Sequence, residues 1–566
     1  MTKNTTDIEK FQYDHIFNLI LGIFKFSEKK YGNFVKDVIR ITLEFEKNGE
    51  TIIDVDNSLI TFELLEDGWP NKHIDVLKNL GLIGFLYSPF VLVNRKLSLS
   101  KWSKKIERVI NSFLKKIDTD NLIKSIIYRD NKIDQIKNIF NYSNLVFLQG
   151  GPGTGKTTLI IKLILELLQI DNFLNIGLSA PTGKATARLK EALNNKKNIS
   201  SSKFLDQIEF QTLHRWILNS QNKSLKLKFK LKELDIFIID EMSMVNIDLI
   251  ESVLNLLAKD CKIILVGDKN QLSPVNNCSI WNYLFEYSDN SSIKSCVVNL
   301  EKTYRNIGDI AFISSLIFNN DFSLVNQKIK ELEKENNSKE ITVSKSRKKD
   351  IPKDLLLLIK SHLKQLNIST SNLSKKKYIF DESIDNLLLN ERDLVDKIFL
   401  DLQSHLILCE RNSGIWSVEY LNEIVFGQKK PYDLKTLNEG VPIMCTKNNN
   451  ELGLSNGDIG VLIGLKNKRK YLFRKFNDNN EEIVALIDPS NLENVVPAIA
   501  ITIHKSQGSE SEKVNILWSQ NYRRNQYAVK EKKDNQNIFC RDNFERRLFY
   551  TAVTRAKKSL NIYYLD

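Results

Sequence analysis

Several features are scarce in this sequence, and each scarcity excludes a class of protein. The 6 cysteines are scattered singly along 566 residues, without a CxxC pair. This spacing argues against zinc or iron–sulfur ligation and against a secreted disulfide framework. The most apolar early segment, FNLILGIF, is far shorter than the about 20 residues that span a bilayer, and the polar start MTKNTTDIEK has no signal-peptide pattern. We therefore expect a reduced cytoplasmic enzyme without membrane association.

Basic residues outnumber acidic ones. Lys and Arg total 82 against 69 Asp and Glu, which gives a formal net charge of +13 and a pI near 9.1. This balance favours a polyanionic partner, with nucleic acid as the first candidate. Because Lys, Asn and Ile are plentiful everywhere, as in an AT-rich coding sequence, the charge alone leaves a purely compositional explanation open.

The chain length predicts about three or four domains. Residues 1–118 mix apolar helical stretches with short strand-like runs and contain no chemical motif. Residues 119–299 alternate short apolar runs (NLVFLQ, NIGLSA, LDIFIID, KIILVGD) with helix-length segments, which predicts a parallel sheet with crossover helices. Residues 300–566 contain the similar runs SHLILCE, AIAITIH, KVNILW and SLNIYYL, so we expect a second α/β unit there.

Two insertions are expected in this second unit. The first, at about 323–400, contains the polar passage KELEKENNSKEITVSKSRKKD and is interpreted as a linker or solvated insertion. The second, at about 440–495, holds short apolar runs split by Asn/Gly-rich turns and predicts a small β-barrel.

The predicted barrel is also a candidate DNA-binding surface. Basic residues there surround Tyr471, Phe473 and Phe476, which predicts stacking of an aromatic ring on a base while the cations follow phosphates. The alternative is that the aromatic residues form the barrel's core and the cations are solvated. The basic residues are Lys466, Lys468, Arg469, Lys470, Arg474 and Lys475.

The stretch GGPGTGKTT matches the phosphate-binding pattern G-x-x-x-x-G-K-[ST] between a predicted strand and a predicted helix. Its glycines let backbone N–H groups turn toward phosphate oxygens, and the helix N-terminus adds partial positive charge. Lys156 is expected to reach the β- and γ-phosphates, and Thr157 to ligate Mg²⁺. The expected nucleotide-triphosphate site comprises Gly150, Gly151, Pro152, Gly153, Thr154, Gly155, Lys156, Thr157 and Thr158.

Acidic and amide side chains follow two later strands of the same predicted sheet. In IIDEMSM, Asp240 would hold the hydrated metal while Glu241 would orient and deprotonate the attacking water. In ILVGDKNQLSPV, Gln271 can hydrogen-bond the γ-phosphate or its attacking water, although an ordinary strand-to-helix turn is the alternative.

Two cations are candidates for stabilising the transferred phosphoryl group from the second unit. They are Arg305 in LEKTYRN and Arg555 in YTAVTRAKKSL. An ATPase built from two lobes needs such a cation in its transition state. The alternative for a single arginine is a surface salt bridge.

Three polar segments at strand ends are candidates for contacts with a phosphate backbone. These segments are SAPTGKATARL, QTLHRWI and ITIHKSQGSE. The alternative for each is a solvated helix start or a polar loop without a binding function. In the last segment we expect Gln507 and Gly508 to face the nucleotide. The candidate DNA contacts are Pro181, Thr182, Lys184, Thr212, His214, Thr502, His504 and Lys505.

The order of these motifs resembles the RecD family of superfamily 1, 5′-to-3′ DNA helicases, whose members include the alpha subunit of RecBCD-type exonuclease V complexes. The resemblance covers roughly residues 125–566 and also includes LILCERNSGIWSVEYLNE and GVPIMCTKNNNELGLSNGDIGVLIG. It implies two RecA-like P-loop motor lobes, ATP and Mg²⁺ as cofactors, and translocation on single-stranded DNA with strand separation. It further implies action on double-strand DNA ends in recombinational repair, together with RecB-like and RecC-like subunits.

By position, Gln135 resembles the family's adenine-reading glutamine, but Asp134 replaces the usual flanking aromatic residue. A surface helical glutamine is the alternative. Family members that act alone carry a longer N-terminal extension with helix–hairpin–helix elements, which this sequence does not show. That difference favours a subunit of a complex, with residues 1–118 as the partner-docking domain.

Three other functions compete with that of a motor subunit. A solitary helicase of the same family would act without partners, whereas a non-motor ATP-dependent switch would not require the full hydrolytic set. A nuclease is least favoured, because carboxylates able to bind metal occur only at the expected ATP site. We therefore expect any nuclease activity in a partner chain.

Overall fold

The computed structural model describes most of the chain. The described residues are 2–47, 49–56, 65–84, 87–118, 131–194, 207–221, 228–274, 277–286, 290–302, 308–319, 321–335, 338–346, 350–376, 391–449, 451–464, 468–476, 482–519, 539 and 543–565.

An N-terminal domain combines helices with a small antiparallel sheet of order β1-β3-β2. Helix α2 turns a stripe that includes Val35, Val38 and Ile39 into this domain's own core, as its amphipathic spacing predicts. The elements are α1 (Thr2–Phe24), α2 (Glu28–Lys47), β1 (Ile52–Asp54), α3 (Asn71–Asn79), β2 (Phe90–Val93) and β3 (Lys96–Leu99).

Helix α4 (Ser100–Leu114) packs into the first α/β lobe. Its buried side chains recur at helical spacing, and Trp102, Ile106 and Phe113 belong to the same core as the lobe's central strands. Arg108 also forms an ion pair with Glu251 of that lobe at 2.6 Å. We therefore propose that the N-terminal domain ends near residue 99, earlier than the expected boundary at 118.

The first lobe is built on six parallel strands in the order β6-β5-β7-β8-β4-β9. Its central strands are buried along their whole length, as sheets covered on both faces require. The strands are β4 (Leu145–Gly150), β5 (Ile176–Ala180), β6 (Ile208–Thr212), β7 (Ile236–Ile239), β8 (Lys262–Gly267) and β9 (Val297–Leu300). Its helices after α4 are α5 (Lys132–Ile139), α6 (Lys156–Ile170), α7 (Gly183–Asn194), α8 (Leu213–Gln221), α9 (Ile247–Leu256), α10 (Ile280–Glu286) and α11 (Ser291–Ser295).

The second lobe has five parallel strands in the order β10-β19-β18-β11-β17. The strands are β10 (Ile341–Ser346), β11 (His405–Cys409), β17 (Ile501–Thr502), β18 (Ser511–Ser519) and β19 (Ala556–Leu565). The helices are α12 (Asp309–Phe318), α13 (Phe322–Glu335), α14 (Lys353–Ser374), α15 (Arg392–Ser404), α16 (Val418–Phe426) and α17 (Asn543–Val553).

The stretch interpreted as a linker differs from that expectation. Strand β10 pairs in parallel with β19 along its whole length, and Ile341 and Val343 are buried in the lobe's core. Helix α14 also buries Leu355 and Ile359 under the sheet. The polar composition led to the wrong prediction of a linker. Successive side chains of a strand point to opposite faces, so an edge strand such as β10 needs apolar residues only at alternate positions. Residues 377–390 of this stretch lie outside the described residues.

The second insertion forms a five-stranded antiparallel sheet of order β15-β14-β13-β12-β16 where the barrel was expected. Tyr471 and Phe473 are buried in its core, so the expected stacking of either ring on a base is wrong. Several of the cations are engaged within the protein: Arg474 pairs with Asp396, and Lys475 donates to the Leu452 carbonyl at 2.7 Å. Lys466 and the Phe476 side chain lie outside the described residues. The strands are β12 (Pro442–Cys445), β13 (Ile459–Ile463), β14 (Lys470–Phe476), β15 (Glu482–Ile487) and β16 (Val495–Pro497).

The predicted fold class is confirmed: two α/β lobes with parallel sheets, an antiparallel insertion and a mainly helical N-terminal domain. Within the part of the chain that the structure describes, no helix is both long enough and apolar enough to cross a membrane.

Candidate active site

The glycine-rich turn after β4 forms the loop that the motif predicts. Gly153 and Gly155 take φ values of 74° and 81°, a region that favours glycine, and α6 begins at Lys156. A Cβ on Gly150 would lie 2.6 Å from the Thr154 hydroxyl, so only glycine fits there. The Lys156 ammonium donates to the carbonyl oxygens of Gly150 and Gly151 at 2.7 and 2.9 Å. The lysine therefore folds over the loop, at the helix N-terminus where a phosphate would bind.

Asp240 follows β7 and faces the same end of the sheet. Its N–H donates to the Ser179 carbonyl at 2.9 Å, and its carboxylate accepts from the Glu241 N–H at 2.8 Å. Burial raises the pKa of Asp240 to about 7, with the neighbouring Glu241 adding to the rise and Lys156 opposing it. A bound cation would favour its ionised form.

Glu241 has a left-handed backbone, with φ of 54°. This conformation is uncommon for a residue with a side chain and is found where surrounding structure imposes it. The carboxylate of Glu241 is partly exposed, in contrast to that of Asp240. It can therefore take up a proton from a water molecule.

Oxygen donors near the P-loop fit Mg²⁺. Thr157 lies in the first turn of α6 and is partly exposed, and Asp240 supplies a carboxylate. Hydroxyl and carboxylate oxygens are the ligands that Mg²⁺ takes beside phosphates, with water completing the shell. The described ranges contain no group of three His, Cys, Asp or Glu side chains that could hold a metal ion.

The loop Asp268–Pro274 follows β8 and carries Gln271. Asp268 is fully buried, accepts from the Asn270 N–H at 3.0 Å, and has its pKa raised by burial. Gln271 is also buried, and its Oε1 has no hydrogen-bond partner among the described residues. A buried unpaired acceptor is costly, so this amide is suited to a partner such as a nucleotide-bound water.

The second lobe contacts this loop directly. Leu272 inserts into the second lobe's core, its N–H donates to the Thr551 hydroxyl at 3.2 Å, and its carbonyl accepts from Gln507 Nε2 at 2.9 Å. Gln507 thus contacts the Gln271 loop, and its role toward the nucleotide stays a prediction. Gly508 beside it has φ of 68°, and a Cβ added there would have no other atom within 4 Å.

Arg555 lies buried between the two lobes. Its guanidinium donates to the carbonyls of Thr551 and Ser509 at 3.0 and 3.2 Å. Burial lowers its pKa, while the negative charges of Glu241 in the first lobe and Glu510 in the second lobe oppose that shift. The other candidate arginine, Arg305, lies outside the described residues.

The candidate DNA contacts in the first lobe occupy two helix starts. The Thr182 hydroxyl, next to Pro181, accepts from the Ala185 N–H at 3.3 Å, and Lys184 donates to the second lobe's Ser509 hydroxyl at 2.8 Å. At the end of β6, Thr212 accepts weakly from the Arg215 N–H and His214 is exposed. Lys184 therefore links the lobes, and DNA contact by these residues stays a prediction.

The candidate DNA contacts in the second lobe are largely covered. Thr502 is buried, and His504 stacks on Phe544 with ring centroids 6.0 Å apart. Burial lowers the pKa of His504 to about 4, so the ring is neutral near pH 7 and does not attract phosphate by charge. Burial also lowers the pKa of Lys505, with Lys430 contributing.

Gln135 lies on α5, one turn after its Asn131 cap, and its Oε1 accepts from Lys132 at 3.4 Å. An ion pair between Lys137 and Glu166, 2.6 Å apart, holds α5 against the P-loop helix. Adenine reading by Gln135 stays a prediction.

Our sequence interpretation missed side chains of α17 that join the lobes. The Tyr550 hydroxyl donates to Asp268 Oδ2 at 3.0 Å, and Arg546 donates to the Asn270 side-chain oxygen at 2.6 Å. Arg546 and Tyr550 are four residues apart in FERRLFYTAV, a spacing that puts them on one face of a helix. That spacing, directly before the arginine motif TAVTRA, was the available signal.

Comparisons with known proteins show which family this chain resembles. The AAA domain family matches residues 135–277. The RecBCD enzyme subunit RecD of Buchnera aphidicola from Schizaphis graminum is 30% identical over 85% of this chain and 82% of its own. The RecBCD enzyme subunit RecD of Buchnera aphidicola from Acyrthosiphon pisum is 28% identical over 92% of this chain and 87% of its own. Among solved structures, Bacteroides Pif1 bound to ssDNA is 18% identical over 77% of this chain and 92% of that chain, with a TM-score of 0.38. On its sequence similarity to these relatives, the chain belongs to the RecD family.

Proposed function

We propose that this protein is an ATP-dependent 5′-to-3′ DNA helicase, the motor subunit of a RecBCD-type helicase–nuclease that acts on double-strand DNA ends in the cytoplasm. One observation supports this most directly. The Gln271 loop, which follows a strand of the same sheet as the P-loop and the Asp240–Glu241 pair, is hydrogen-bonded to Gln507 and Tyr550 of the other lobe.

In this proposal the chain's own residues bind and orient ATP. The P-loop amides and Lys156 cradle the phosphates. Thr157 and Asp240 would hold Mg²⁺, which when bound would supply positive charge beside the phosphates. Glu241 takes a proton from the attacking water, Gln271 orients that water, and Arg555 stabilises charge on the transferred group.

Hydrolysis at an interlobe site can drive movement along DNA. Gln507 and Arg555 connect the site to the strand ends of the second lobe, where Thr502, His504 and Lys505 lie. A change in nucleotide state would thus change the position of one lobe relative to the other. Lobe movements of this kind are a standard conformational response to a ligand.

The partners in this proposal are RecB-like and RecC-like chains. The two Buchnera relatives, matched over 82% and 87% of their own length, are named as RecBCD subunits. The ATP-dependent RecD2 DNA helicase of Deinococcus radiodurans matches 23% of this chain. The N-terminal domain offers a docking surface, because Leu19 and Ile23 of α1 are exposed. A subunit of a complex is therefore favoured over a solitary helicase.

The test is an ATPase and unwinding assay on the purified chain, alone and copurified with RecB-like and RecC-like chains. We expect ATP turnover stimulated by single-stranded DNA and unwinding of substrates with a 5′ overhang. Lys156→Ala should abolish turnover, whereas Lys162→Ala, at an exposed position of the same helix, should not. Unwinding only from 3′ overhangs, or turnover unchanged by Lys156→Ala, would contradict the proposal.

A further inference from the structure

The N-terminal domain contacts the hydrolytic loop through the turn that ends α2. Gly49 and Glu50 close the helix by donating from their N–H groups to the Glu46 and Phe45 carbonyls, each at 2.9 Å. Gly49 has φ of 74°, and a Cβ there would lie 2.5 Å from the Pro274 carbonyl oxygen. The turn is therefore pressed against the loop that carries Gln271, with no room for a larger residue.

The next residues of the turn extend these contacts to both lobes. The Thr51 hydroxyl donates to Cys278 Sγ of the first lobe at 3.2 Å. The Glu50 carboxylate lies 3.7 Å from the guanidinium of Arg547, which belongs to α17 of the second lobe. The Arg547 side chain is only 4% exposed, so Glu50 contributes to the neutralisation of a buried cation.

Arg547 shares its helix with the residues that join the second lobe to the nucleotide loop. Three residues within one and a half turns of Arg547 form hydrogen bonds with that loop. Tyr550 bonds to Asp268, Arg546 to Asn270 and Thr551 to Leu272. Because the N-terminal domain is anchored to the first lobe through Thr51, the Glu50–Arg547 pair crosses the boundary between the lobes.

We propose that Glu50 is a positioning residue through which the N-terminal domain controls ATP hydrolysis. It holds α17, and with α17 the Gln271 loop and Arg555, in the arrangement that hydrolysis needs. A partner bound to the N-terminal domain would shift this turn and so change the turnover rate. This inference rests on the proposed ATPase function, since it concerns regulation of the same site.

The test compares full-length variants for ATP turnover stimulated by single-stranded DNA. Glu50→Gln should lower kcat about 5-fold or more, the lower end of typical coupling between sites, with the Kd for ADP unchanged. Glu46→Gln is the matched control, because it removes a carboxylate one turn earlier that pairs with Lys101 at 2.6 Å. The exchanged pair Glu50→Arg with Arg547→Glu should restore at least part of the lost kcat.

The outcomes separate this inference from the proposed function. An inactive wild-type chain would contradict the proposed function itself. An active wild type with Glu50→Gln equal to it would overturn the positioning role, as would equal losses in Glu50→Gln and Glu46→Gln. If Glu50→Gln fails to fold, Gly49→Ala gives the second test. It should displace the Pro274 loop and lower kcat while ADP still binds, and wild-type kcat in that variant would overturn the inference.

Discussion

The hydroxyl of Tyr550 in the second lobe donates a hydrogen bond to the buried carboxylate of Asp268 in the first lobe, at 3.0 Å. A Cβ on Gly151 of the P-loop would lie 3.0 Å from the same hydroxyl oxygen. Tyr550 is itself buried, and burial together with Asp268 raises its pKa well above the usual value. One neutral phenol therefore contacts both the phosphate loop and the loop that carries Gln271.

Tyr550→Phe should weaken the connection between the lobes. Loss of the hydroxyl leaves a buried carboxyl group without this donor, which costs about 1–3 kcal/mol. We expect a lower melting temperature and a lower kcat in DNA-stimulated ATP hydrolysis. Tyr564→Phe is the control, since it deletes a hydroxyl that donates to Glu333 within the second lobe, at 2.8 Å. Equal kcat losses in the two variants would show that Tyr550 acts only through general stability.

Glu241→Gln should bind ATP with Mg²⁺ nearly as the wild type does but hydrolyse it roughly 10²–10⁴-fold more slowly. The amide keeps the shape of the side chain and loses the proton acceptor. Single-turnover hydrolysis and nucleotide titration measure the two effects separately. A collapse of nucleotide affinity with normal turnover of bound ATP would identify Glu241 as a ligand of the nucleotide or metal.

Asp240 should make both stability and metal binding depend on pH. Its pKa rises from the ordinary aspartate value of 3.8 to about 7 in the folded protein, so folding favours the protonated form. The free energy of unfolding should therefore fall as pH rises from about 4 to about 7, because the folded carboxyl loses its proton only near pH 7.

Mg²⁺ with ATP requires the ionised carboxylate, so binding at about pH 6.5 should release a proton. Calorimetry in buffers of different ionisation enthalpy measures this release. The variant Asp240→Asn should release less. Equal proton release in wild type and variant would place the titrating group elsewhere.

Two truncations should distinguish the domain boundaries. A chain beginning at Ser100 retains α4 and should fold its first lobe and bind ATP, without assembling with RecB-like and RecC-like chains. A chain beginning at Asp118 removes Trp102, Ile106 and Phe113 from that core, each contributing about 1.5–3 kcal/mol. It should aggregate or melt at a much lower temperature. Nucleotide binding is measured before assembly, and copurification of the Ser100 chain with its partners at the wild-type level would place docking in the motor lobes.

Local sequence determined the phosphate loop and the strand ends. The P-loop turn depends on glycines at Gly153 and Gly155, and its backbone conformation follows from their lack of a side chain. The positions of Asp240 and Gln271 follow from runs of apolar residues, because a fully buried parallel strand must end where polar residues begin. These features involve neighbours in the chain, so they could be predicted without the fold.

Contacts between distant segments were decided by the tertiary structure alone. An aromatic residue in a basic strand has the same pattern whether it faces DNA or a core, and only the packing of the antiparallel sheet buries Phe473. Likewise, α17 brings Phe544 against His504, and burial in the fold makes that ring neutral near pH 7. Arg547 acquires the carboxylate of Glu50 from a distant part of the sequence. Burial and long-range pairing depend on which helices and strands pack together. The sequence of one strand or helix does not specify which other element will pack against it.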